Sequence, residues 1–274
     1  METMGAMKYI IFTVLAIVLS FASGYLLVRI VTRVLKKRMP RVATIIASVL
    51  SGIALVCVCG FVYLQFYYHA TPEALAALES GDGVTVTHED GAYAFDGPGT
   101  DSALVFYLGA KVEAKAYAPL MRRLAVQGLD CFLVEMPLNM AFFGMDRAGA
   151  IMERHSYGKW IMAGHSLGGV AASSFASSHA GEVSGLVLLA SYPSGTVNNG
   201  LGLCLVYGTE DKVLNRDAYE ASRPNWPSDA RETVIQGGNH AQFGNYGEQA
   251  VDGVATISAT EQQSQAADAI LAFI

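Results

Sequence analysis

Two uninterrupted apolar runs open the chain, Tyr9 to Val28 and Val42 to Tyr68, each at or above the roughly 20 residues that a helix needs to cross a bilayer. From Val84 onward the pattern changes to short β-rich runs alternating with stretches of helical period, which predicts an α/β domain with a largely parallel sheet. Val84 to His88 and Ala92 to Phe95, joined by Glu89, Asp90 and Gly91, read as an antiparallel opening hairpin. Strands are expected at Ala103 to Leu108, Asp130 to Met136, Lys159 to Ala163, Gly185 to Ala190, Leu203 to Gly208 and Glu232 to Gln236. Helices are expected near Thr71 to Ser80, Ala114 to Gln127, Met140 to His155, Val170 to His179 and Thr260 to Ile274. The organisation is therefore a two-helix transmembrane hairpin over residues 1–70 (spans about 9–31 and 42–68), a linker over 71–83 and an α/β domain over 84–274.

Composition agrees with that division. Hydrophobic residues make up 52% of the 274, too many for an ordinary soluble domain unless the excess lies in the opening runs. Arg29, Arg33, Lys36, Lys37, Arg38 and Arg41 fall between the two runs, and a short cationic loop is expected on the cytoplasmic side. His69 to Ala110 carries acids but no Lys or Arg, which predicts an extracytoplasmic domain on a two-span membrane protein. Tyr63, Phe66, Tyr67 and Tyr68 suit the interfacial end of the second span. A cleaved signal peptide over Met1 to Gly24 and a buried helical hairpin are the competing readings. The net charge of −6 and scattered cations argue against nucleic acid as a partner. Cys57, Cys59, Cys131 and Cys204 have neither metal-ligand spacing nor a disulfide framework, and no metal or organic cofactor is expected.

The chemistry concentrates in Gly164-His165-Ser166-Leu167-Gly168, a G-x-S-x-G sequence between an apolar strand and a small-residue helix. A serine on such a turn projects its hydroxyl clear of the sheet, and glycines on either side avoid collision with neighbouring elements. A glycine-rich turn that binds phosphate is the alternative, although the Lys-Ser/Thr ending of a P-loop is missing. A serine hydroxyl needs a base, and on this elbow the partners follow in the order Ser, acid, His. His179 ends the helix behind the serine, so His240, in the loop Gly237-Gly238-Asn239-His240-Ala241-Gln242-Phe243, is the candidate base. Asp211, in Gly208-Thr209-Glu210-Asp211-Lys212-Val213, is the candidate acid, with Glu210 its rival. The backbone N–H of Leu167 and that of Ala110, with Lys111 the alternative to Ala110, are the candidate oxyanion donors.

These stretches, with Tyr107-Leu108-Gly109-Ala110-Lys111-Val112-Glu113, Met136-Pro137-Leu138-Asn139 and Leu188-Leu189-Ala190-Ser191-Tyr192-Pro193, resemble the α/β-hydrolase superfamily from about Ala103 to the C-terminus. More narrowly, the chain is similar to small bacterial members without a cap. The resemblance implies an α/β-hydrolase fold and a Ser/Asp/His hydrolase acting on esters or related acyl compounds through an acyl-enzyme, and names no substrate. An open site with a bilayer nearby makes a small-molecule or lipid-like acyl substrate the first expectation. Thioesterase, amidase or acyltransferase activity on the same residues, or a silent binding protein, are the alternatives. Dienelactone hydrolases look similar in size but use a cysteine nucleophile where this chain has Ser166. Short Gly-, Ser- and Asn-rich residues from Ser191 to Gly202 leave no room for a helical cap, so an open site is expected. Asp252 and Asn139 belong to family-like stretches without an assigned role.

Overall fold

The computed structural model describes residues 2–99, 101–197 and 200–274, and the chain divides into two compact units, residues 1–66 and 67–274. In the first, α1 (Glu2–Val34) and α2 (Arg41–Gln65) are joined by a turn in which Lys36 takes φ 51°. The two helices pack where small residues meet: a Cβ on Gly24 would lie 2.7 Å from the Gly52 backbone nitrogen. Segments Val14–Val34 and Arg41–Gln65 are long and apolar enough to cross a membrane. Their large side chains, such as Leu26 and Ile45, are exposed rather than packed into a protein core.

The second unit is an α/β domain built on a single sheet. Its strands are β1 (Thr85–Glu89), β2 (Ala92–Asp96), β3 (Ser102–Tyr107), β4 (Asp130–Val134), β5 (Lys159–His165), β6 (Gly185–Leu189), β7 (Gly202–Gly208) and β8 (Arg231–Ile235). They form one sheet in the order β1-β2-β4-β3-β5-β6-β7-β8. The β1–β2 and β2–β4 pairs are antiparallel, and from β4 through β8 every pair is parallel. β4 and β6 are buried at every position, as strands covered on both faces by helices must be. The edges β1 and β8 carry the exposed polar positions, which discourages pairing with another chain.

Helices α3 (Pro72–Ala76), α4 (Ala118–Val126), α5 (Arg147–Arg154), α6 (Leu167–Ser178), α7 (Arg216–Ser222) and α8 (Ala259–Phe273) complete the unit. Residues before β1 pack onto it: Ala74 is fully buried, and Arg122 donates from Nε to the Ala77 carbonyl at 2.9 Å. Tyr68 bridges Val112 in parallel, so the chain enters the unit beside the loop that follows β3.

Two local expectations need correction. The helix expected over Met140 to His155 is confined to α5, because Met140 is extended (φ −131°, ψ 111°) and the 3-10 turn at Ala141–Phe143 ends at a non-helical Gly144 (φ −151°, ψ 32°). Helix α7 was not expected. Only seven residues long, it shows little apolar period and is set by Asn215, whose side chain accepts from the Ala218 N–H at 3.0 Å. No helix occurs between β6 and β7 among the described residues, and residues 198–199 of that connection lie outside them.

Strand order fixes where a site can form. From β3 the chain runs to β4 on one side and then returns to β5 on the other, so the connections after β3 and β5 part at the sheet's carboxyl edge. A crevice at such a switch point is where open α/β sheets bind ligands.

Candidate functional site

Ser166 sits at that crevice, between the last residue of β5 and the first of α6. Its backbone takes φ 52° and ψ −123°, a conformation that non-glycine residues rarely adopt and that costs about 1–3 kcal/mol. Neighbouring elements impose it. A Cβ on Gly168 would lie 2.2 Å from the Leu108 carbonyl oxygen, and one on Gly164 would lie 2.5 Å from the Gly168 carbonyl carbon. The end of β6 then fastens the turn: the Ser166 N–H donates to the Leu189 carbonyl at 2.9 Å, and the buried Ser191 hydroxyl donates to the Ser166 carbonyl at 2.7 Å. Nothing in the sequence pattern had singled out Ser191.

The structure brings Asp211 and His240 together. His240 Nδ1 lies 2.9 Å from Asp211 Oδ2, and both side chains are almost wholly withdrawn from solvent. Asp211 Oδ1 accepts from the N–H groups of Val213 and Leu214, each at 2.8 Å, so the other oxygen is left to the imidazole. With Nδ1–H donating to a carboxylate, Nε2 carries the lone pair a base requires. The rival Glu210 points elsewhere and accepts from the Thr209 hydroxyl. His179 stacks on Phe175 at the far end of α6, about 18 Å along the helix axis from its start.

The His240 ring lies 4.6 Å from the ring of His165, the residue before Ser166, which sets base and serine on adjoining loops. Among the described residues no hydrogen bond joins the Ser166 hydroxyl to His240. Such catalytic bonds are commonly loose in a resting site and tighten with substrate bound.

Leu167 opens α6, so its N–H has no acceptor within the helix. In the loop after β3, three N–H groups are occupied: Gly109 donates to the Tyr117 hydroxyl, Lys111 to the Asn139 carbonyl at 2.8 Å and Val112 to the Gly109 carbonyl. Among the described residues the Ala110 N–H has no acceptor, which favours it over Lys111 as the candidate for a second oxyanion donor. Asn139 thereby gains a role: its carbonyl holds the neighbouring peptide of this loop.

Asp252 also gains one. Oδ1 accepts from the N–H groups of Lys212 and Gly253, while Oδ2 accepts from that of Ala241 at 2.8 Å, so one carboxylate ties the loop after Asp211 to the loop after His240. Gln262 on α8, fully buried, holds the other side, accepting from the Asn239 N–H and donating to the Asn239 carbonyl. Neither role was readable from sequence, because each depends on contacts across distant loops. Among the described residues no group of three or more His, Cys, Asp or Glu is placed to hold a metal ion.

Burial holds the His165 imidazole well below the usual histidine range, and the nearby His240 ring adds to the effect. The native chain therefore keeps His165 neutral where an unfolded chain would protonate. Its contribution to stability is complete above about pH 6.5 and is lost progressively as pH falls below that value. Replacing His165 by Gln should flatten the fall in stability between pH 7 and 5, as measured by denaturant unfolding at each pH; an unchanged slope would refute this. Asp252→Asn turns an amide NH₂ toward a backbone N–H whichever way it is rotated. It should lose about 1 kcal/mol of stability by thermal melting, and an unchanged melting temperature would refute the role.

The model of the alpha/beta hydrolase family matches residues 103–264, more than half of the chain. No curated protein matches it. Among solved structures, a putative hydrolase from Agrobacterium vitis is similar at TM-score 0.53 and 14% identity, covering 70% of this chain and 97% of that one. A dienelactone hydrolase from Anabaena variabilis is similar at TM-score 0.53 and 12% identity, covering 70% and 99%. Est1E from Butyrivibrio proteoclasticus, in a structure with ferulic acid bound, is similar at TM-score 0.51 and 12% identity, covering 71% and 97%. At such identities the likeness carries the fold alone.

Proposed function

The chain belongs to the alpha/beta hydrolase family, and from that premise we propose that it is a membrane-anchored serine hydrolase that cleaves ester-type acyl substrates. The observation that carries the reading is the buried His240–Asp211 pair, 2.9 Å apart, beside a serine held on a strained strand-to-helix turn. Ser166 Oγ attacks the acyl carbon while His240 Nε2 takes its proton, and Asp211 stabilises the imidazolium that forms. Negative charge on the carbonyl oxygen is met by the N–H groups of Leu167 and Ala110. His240 returns the proton to the leaving alcohol, and water then cleaves the acyl-enzyme by the same route in reverse order. A dienelactone substrate is not favoured, since a serine stands where those enzymes use cysteine.

A fluorophosphonate probe should label the wild-type protein and fail to label Ser166→Ala. On a p-nitrophenyl ester that variant should lose about 10⁴-fold or more in kcat. A folded wild-type protein that neither labels nor turns over ester would overturn the reading.

The anchor rests on the two long apolar helices, and the sidedness on the cations between them. We place the hydrolase domain outside the cytoplasm. A cysteine introduced at the exposed Ser80 should react with a membrane-impermeant maleimide on intact cells. The free cysteines Cys131 and Cys204 are buried, and those of α2, Cys57 and Cys59, are to be replaced by serine first. Labelling only after lysis would reverse the assignment.

A further inference from the structure

One buried side-chain chain lies beside the Ser166 turn and takes no part in the chemistry above. Gly109 donates its N–H to the Tyr117 hydroxyl at 3.1 Å, Tyr117 is 2.8 Å from His165 Nδ1, and His165 Nε2 is 3.1 Å from the His240 carbonyl oxygen. Tyr117 and His165 are fully buried. The direction of every bond is forced. A carbonyl can only accept, so Nε2 carries the proton. Neutral His165 then offers a bare Nδ1, to which the Tyr117 hydroxyl donates, while the phenol oxygen accepts from Gly109. Burial also pushes the Tyr117 hydroxyl well above the usual tyrosine range, which keeps the donor protonated.

The groups facing His165 are Tyr117 from the turn Ala114–Tyr117, and His240 and Phe243 from the base loop and the turn after it. The loop residue at the other end is shaped to fit. A Cβ on Gly109 would lie 2.7 Å from His165 Nδ1 and 2.9 Å from the Tyr117 hydroxyl, so any side chain there would wedge the contacts apart.

We propose that His165 and Tyr117 are positioning residues that align the oxyanion loop at Gly109–Ala110 and the backbone of the base His240 as one unit. The proposal rests on the hydrolase reading above for its catalytic consequence, though not for its geometry. The two loops follow β3 and β8, which lie on opposite sides of β5 in the sheet, and the reaction needs both at once: a donor where the oxyanion forms and a base where the hydroxyl proton leaves. A hydrogen-bonded bridge through the residue before the nucleophile ties both to the turn that carries Ser166. Misplacement by a fraction of an ångström acts on the transition state more than on substrate binding.

The test is a double-mutant cycle on the full chain in detergent, with a p-nitrophenyl ester as substrate. Tyr117→Phe and His165→Asn should each lower kcat about ten- to a hundredfold with KM changed less than about threefold. Combined, they should lose little more than the larger single loss, since each breaks the same bridge. Losses that multiply as for independent sites, or a kcat within about twofold of wild type in either variant, would overturn the proposal. The two ends of the bridge separate by side-chain length. His165→Asn keeps an acceptor near the Nδ1 position but no donor for His240, whereas His165→Gln reaches the Nε2 position and keeps that donor. The acidic limb of the kcat/KM profile, which reports the free enzyme's base, should therefore move in the Asn variant and stay in the Gln variant. An identical limb in both would count against the assignment, and this pair serves should Tyr117→Phe fail to fold.

Nitrogen NMR on histidine-labelled protein reads the geometry without turnover. His165 should stay neutral with its proton on Nε2 as pH falls through the usual histidine range, and its Nδ1 resonance should shift in Tyr117→Phe. A proton on Nδ1, or titration near pH 6.5, would overturn the bridge. An intact bridge in a protein whose Ser166 never labels would count against the hydrolase reading alone.

Discussion

The close approach of three backbones, at Gly164, Gly168 and the carbonyls of Tyr107 and Leu108, is the constraint on which the site depends. A chain leaving a buried strand and entering a helix within a single residue must pass through a backbone conformation that side chains resist. Ser166 takes that conformation because nothing larger than hydrogen fits at the two glycines, and because the carbonyl of Leu189 and the hydroxyl of Ser191 fix both sides of its peptide. The strain is small beside the burial of β3, β5 and β6 around it, whose apolar residues are removed almost completely from water. Sheet packing thus holds the turn in place, and the turn presents the serine.

Around that turn the supporting contacts are polar and buried, and they end on main-chain groups. Asp211 uses one oxygen on two backbone N–H groups before offering the other to His240. Asp252 spends its carboxylate on three N–H groups from two loops, and Gln262 pairs with both backbone groups of Asn239. Loops seldom satisfy their own backbones, and in a buried setting each unsatisfied N–H or C=O would cost about 1–3 kcal/mol. The side chains that satisfy them also fix where each loop lies.

The sequence made the strands and the elbow legible because both are local signals: apolar runs of strand length, and two glycines flanking a serine between a strand and a small-residue helix. His240 and Asp211 were legible through chain order and their place after strands. What could not be read was anything set by tertiary approach. Ser191 looks like an ordinary turn serine until the Ser166 carbonyl appears 2.7 Å from it. His165 occupied a variable position of the motif, and its partners lie 48 and 75 residues away in sequence. Helix α7 and the shortened α5 failed for the opposite reason. Capping by Asn215 and non-helical backbone at Met140 and Gly144 overrode an apolar period too weak to set element ends.

The choice between Ala110 and Lys111 shows how such accounting decides a question that pattern leaves open. They are consecutive residues of one loop, and the sequence reading puts Ala110 first and keeps Lys111 as the alternative. Once the carbonyl of Asn139 takes the Lys111 N–H and the hydroxyl of Tyr117 takes that of Gly109, the Ala110 donor between them is left without an acceptor among the described residues. An N–H with no acceptor on a half-buried residue is costly unless water or a ligand meets it, and the first N–H groups of α6 likewise lack intrahelical acceptors. On the mechanism proposed above, the neighbours of Ala110 are held so that this donor stays available to negative charge forming near Ser166. That is the physical content of a preorganised site: the donors are aligned before the reaction, by contacts that the reaction itself does not touch.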